Sequence, residues 1–90
     1  MMTLNEIGAS AAALGNQVGA GIPIDQALSR MAQMQPDYAE FWMRSAQEVR
    51  SGRMLSNLLS EVWPEALVSA VRAGEHSGKM DSVFGRIEET

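Results

Sequence analysis

His76 is the only histidine in this ninety-residue chain, and it lies between Glu75 and Ser77. Acid, imidazole and hydroxyl are the groups of a nucleophilic triad, and acid–base catalysis recruits histidine more often than any other side chain. Three consecutive residues point in different directions from a helix or turn, however, so they cannot line up as orienter, base and nucleophile. An exposed or cap-region histidine is the simpler reading. The chain has no cysteine, which removes thiolate catalysis, disulfides and thiolate zinc sites together. Metal chemistry would then depend on carboxylates and hard cations. The candidate acid pairs, Glu61 with Glu65 and Glu88 with Glu89, read more simply as solvated helix faces near helix ends. No glycine-rich loop carries the Lys-Ser/Thr ending of a phosphate cradle. The residues predict no enzyme, no metal site and no cofactor.

A chain without catalytic groups works by contact. Trp42, Trp63, Tyr38 and the seven methionines are the side chains able to anchor a partner, although burial in a core is the commoner use of each. Apolar residues make up 46% of the chain and charged residues 20%, a mix that folds. One domain of this size buries roughly 60–65% of its unfolded surface, a real but thin core. The formal charge of −4, with basic residues scattered from Arg30 to Arg86, excludes a phosphate-neutralising patch and with it nucleic acid. From Ile7 to Ile24 no residue is charged, a length of about one membrane span. Four glycines, Ser10, Asn16, Gln17 and Pro23 in that stretch make it a helix rich in small residues followed by a turn. A secretory signal would need early positive charge, and the first basic residue is Arg30.

The elements that must position these residues all repeat near 3.6, and none alternates as a strand does. Thr3 and Glu6 form a capping-box pattern, opening a helix with an apolar stripe of Leu4, Ile7, Ala11, Leu14 and Val18 that Gly21 stops. Pro23 suits the first turn of a second helix, with Ala27, Leu28 and Met31 inward. Pro36 disfavours a helical Gln35; Asp37 and Glu40 then repeat the cap pattern ahead of Tyr38, Phe41, Trp42, Ser45 and Val49. Gly52 ends this third helix. A short fourth, about Met54 to Ser60, carries Leu55, Leu58 and Leu59. Pro64 starts a fifth, with Leu67, Val68 and Val71 inward, running toward Gly74. A sixth after Gly78 keeps its period through Met80, Val83, Phe84 and Ile87. The expected fold is all-α, a compact bundle of about six short antiparallel helices.

Three segments place a valine one turn before a glycine: Val18 with Gly21, Val49 with Gly52, and Val71 with Gly74. The first two continue in step, Ile24, Gln26, Ala27 and Leu28 falling opposite Leu55, Asn57, Leu58 and Leu59 at an offset of thirty-one residues. Shared cap chemistry and a duplicated helical hairpin both account for this. Gly15-x-x-x-Gly19 has the spacing of a membrane-helix dimer motif, which in a soluble helix more often permits close backbone packing.

Three segments in fixed order carry a family resemblance. They are Gly21-Ile22-Pro23-Ile24 with Ala27-Leu28; Val49-x-x-Gly52-x-x-Leu55-Ser56-x-x-Leu59; and, after Trp63-Pro64, Gly74-Glu75-x-Ser77-Gly78-x-Met80. Together, from about Leu14 to Ile87, they resemble the cytoplasmic domain of type II secretion F proteins and type IV pilus inner-membrane platform proteins. Met80 stands where that family usually has leucine, a swap tolerable in volume.

The resemblance implies a six-helix domain, residues 1–90, cut from a polytopic inner-membrane protein with two such cytoplasmic domains. The lack of a preceding membrane segment favours the first. It implies a scaffold on the cytoplasmic face of the bacterial inner membrane that couples an assembly ATPase to pilin or pseudopilin extrusion, contacts other inner-membrane components and self-associates. On this reading the motif residues Gly21, Pro23, Ala27, Leu28, Gly52, Leu55, Pro64, Gly74, Gly78 and Met80 are structural. Gly21 and Gly52 would adopt left-handed caps, and Gly74 and Gly78 would let the fifth and sixth helices cross closely. Glu75 would accept backbone N–H groups at the start of the sixth helix or, with Arg72 and His76, face a partner. The related platform of tight-adherence pili is the nearest variant reading. A free helical adaptor that docks a peptide or receptor is the alternative from another class.

Overall fold

The computed structural model describes residues 1–89, with side-chain surroundings through Ile87. Six α-helices follow in order: α1 (Leu4–Gly19), α2 (Ile24–Met34), α3 (Ala39–Arg50), α4 (Leu55–Leu59), α5 (Glu65–Ser77) and α6 (Met80–Glu89). One 3₁₀ turn, Pro36–Tyr38, joins α2 to α3, and no strand occurs among the described residues. The most extensive pairings are α1 with α6 and α2 with α3; α5 packs on both α4 and α6. The chain therefore folds as one consecutive helix pair, α2–α3, and one that joins the first helix to the last, α1–α6, with α4 and α5 packed between.

Local chemistry starts α1. Thr3 N–H donates to Glu6 Oε1 at 2.8 Å and Glu6 N–H to Thr3 Oγ1 at 3.2 Å, so two orphan donors are satisfied reciprocally. The buried face is Ile7, Ser10, Ala11, Leu14 and Gln17. Leu4, expected to begin this stripe, is instead 82% exposed. Met2, just outside the helix, fills the core instead, and its N–H donates to Val62 O at 2.9 Å. Two polar residues lie on the inner face: Ser10 Oγ donates to Ile7 O and Gln17 Nε2 to Ala13 O, while Gln17 Oε1 is buried without a partner. Gly15 permits the α1–α6 approach, for a Cβ there would stand 3.1 Å from Phe84 Cβ. Gly19, its partner in the spacing motif, has nothing within 4 Å and plays no such part.

Gly21 (φ +88°) and Gly52 (φ +98°) end α1 and α3 in the left-handed region, where a Cβ is penalised. The two caps match bond for bond at the thirty-one-residue offset. Ile22 N–H reaches Gln17 O and Arg53 N–H reaches Glu48 O, each at 3.0 Å; Gly21 and Gly52 reach Val18 O and Val49 O, also at 3.0 Å. The third Val–Gly pair breaks the pattern. α5 runs past Gly74 to Ser77, and Gly78 (φ +75°) is the cap, with Lys79 N–H donating to Gly74 O at 3.0 Å.

Asp37 does not cap α3 as its sequence position suggested. Pro36 moves Gln35 off helical geometry (φ −128°, ψ 76°), and Asp37 falls inside the 3₁₀ turn that follows. Side chains hold the junction instead. Gln35 Nε2 donates to Glu6 O at 2.9 Å, Trp42 Nε1 to Gln35 Oε1 at 3.0 Å, and Tyr38 OH to Glu6 Oε1 at 2.8 Å. Trp42 and Trp63 are both buried, so they serve the core and are not available as surface anchors. Trp63 meets Phe84 edge to face at 6.3 Å between ring centroids, joining the α4–α5 connection to α6. Val83, Phe84 and Ile87 are buried and Met80 half-buried on α6.

Candidate interaction surface

The third motif, Gly74 to Met80, occupies the end of α5, its cap and the start of α6. Gly74 is where the two helices touch: a Cβ built there would lie 2.7 Å from Val83 Cγ2 and 3.5 Å from Met80 Cα. Gly78 has no such neighbour, with nothing within 4 Å. The expectation that both glycines admit the crossing is therefore corrected. Gly74 makes the close approach, and Gly78 makes the turn.

Glu75 is also placed differently from expectation. Its Oε2 accepts the backbone N–H of Ser56 at 3.3 Å, so the carboxylate serves the start of α4 and not that of α6. A negative group at a helix start meets the orphan N–H groups there and the positive end of the peptide dipoles. The sixth helix was nearer in sequence; α4 is nearer in space because Glu75 points away from the α6 side of α5. The triad-like string is dispersed by the same geometry. Glu75 is bonded to Ser56, Ser77 Oγ donates to Gly74 O at 3.4 Å, and His76 is exposed. Arg72 is half-buried and paired with Glu65 at 3.4 Å.

The other motif residues lie apart from this corner. Pro23 and Pro64 precede the first residues of α2 and α5 in extended conformation, and Ala27, Leu28 and Leu55 are buried. Four arginines are held in ion pairs. Arg44 grips Glu61 through two hydrogen bonds of 2.8 and 3.0 Å, which holds the Glu61 carboxyl below its ordinary pKa and raises that of the guanidinium. Arg50 pairs with Asp25 across α3 and α2, and Arg53 with Glu48. Glu61 and Glu65, expected as solvated helix faces, are each committed to an arginine; the Glu88 and Glu89 side chains lie outside the described residues. Among the described residues no three acids or histidines gather as metal ligands.

Two concavities were not foreseen from the residues. One, of about 700 Å³, is apolar and runs along α1 past Leu4, Gly8 and Ala12 to Leu67 and Ile87. The other, of about 470 Å³, opens between α5 and α6 beside Ser77, Lys79, Ser82 and Arg86. The only sequence signal of the second is helical spacing on either side of Gly78, which has no meaning until the α5–α6 angle is known. No helix among the described residues is long and apolar enough to cross a membrane.

A family model for protein F of the type II secretion system matches residues 11–90. The chain belongs to that family. The match takes in α2 to α6, most of α1 and all three motif segments. No curated protein matches the chain. The type II secretion F and type IV pilus platform family is one of inner-membrane, non-enzymatic components.

Proposed function

We propose that these residues form a cytoplasmic scaffold domain of an inner-membrane platform protein in type II secretion or type IV pilus biogenesis. In this reading the domain is the first of two, catalyses nothing itself, and contacts the cytoplasmic assembly ATPase and other inner-membrane components. The family match over residues 11–90 carries the reading. The fold supports it: left-handed glycine caps, a glycine-mediated helix crossing and a carboxylate at a helix start are devices for holding a rigid shape. A rigid shape is what a part that transmits force between an ATPase and a membrane assembly needs. Arg72 and His76 on α5 are offered as contact residues, with Glu75 chiefly structural. Self-association belongs to the same proposal. Co-purification of the domain with the assembly ATPase of its own system tests it. Retention of the ATPase by the domain is the expected result, and failure to retain either the ATPase or any inner-membrane component at high micromolar concentration overturns it.

A further inference from the structure

We draw no further inference here: the strongest candidate, the apolar groove along α1 past Leu4, Gly8 and Ala12 to Leu67 and Ile87, is an unpartnered face beside side chains that lie outside the described residues, and nothing in the structure shows what covers it.

Discussion

Replacing Gly74 by alanine asks whether the α5–α6 crossing depends on a missing methyl group. Two opposing effects meet at this residue. Gly74 lies inside α5, where exchanging glycine for alanine ordinarily gains about 1 kcal/mol. The new Cβ, however, would stand 2.7 Å from Val83 Cγ2 and 3.4 Å from Val83 Cβ, well inside van der Waals contact. Val83 is 3% exposed and, being β-branched on a helix, has essentially one comfortable rotamer, so it cannot swing aside. Overpacking of this kind costs about 1–3 kcal/mol. The difference is a net loss of about 1 kcal/mol, read as a fall in melting temperature of about 4–8 °C for a domain this size. Gly8→Ala and Gly85→Ala supply the contrast, because nothing lies within 4 Å of either added Cβ. Both should gain up to about 1 kcal/mol. The double variant Gly74→Ala/Val83→Ala should lose less than the sum of its two single variants, since the clash disappears with the branched side chain. Thermal unfolding followed by circular dichroism reads all five variants, Val83→Ala included. A Gly74→Ala variant that melts at or above the parent would refute the reasoning.

Further outcomes follow from the caps and the polar contacts. Gly52→Ala should lose about 1 kcal/mol in urea unfolding because φ +98° is penalised for any residue with a Cβ; an unchanged midpoint would show that the α3 cap can be rebuilt. Backbone N–H donation from Thr3 and the Tyr38 hydroxyl hold the Glu6 carboxyl below its ordinary 4.5. Its contribution is therefore present above pH 4.5 and lost as the pH falls through the lowered value. The same bond raises Tyr38 above 10.0, so its contribution persists below pH 10 and is lost as the pH climbs through the raised value. Tyr38→Phe should flatten the alkaline arm of a stability–pH profile, and an unaltered arm would discount the Tyr38–Glu6 bond. Glu75→Ala should lower stability by about 1 kcal/mol through the stranded Ser56 N–H. Unchanged melting together with weakened ATPase binding would reassign Glu75 to the partner face.

What could be read from the residues was whatever is settled within one or two helical turns. The α1 capping box, the left-handed Gly21 and Gly52, and the inward face of α6 each depend on neighbours close in sequence. The misplacements share the opposite property. Leu4 continues the stripe by spacing yet is exposed, because whether Met2 or Leu4 reaches the core depends on where Val62 lies. Gly74 and Gly78 are indistinguishable as letters, and only the position of Val83 separates a crossing from a cap. Glu75 lies beside the start of α6 in sequence, while its bond runs to Ser56, nineteen residues away. The α5–α6 crevice lay beyond reach for the same reason: Ser77 and Lys79 face Ser82 and Arg86 only after Gly78 has turned the chain.

The central claim is that this domain is a docking part of a secretion or pilus platform. The most direct measurement is a binding isotherm of the purified chain against the assembly ATPase of its own system. Saturable binding by the parent at or below high micromolar concentration, with no ATP turnover by the chain itself, is the predicted result. A flat isotherm throughout that range, together with no capture of any inner-membrane component, would contradict it.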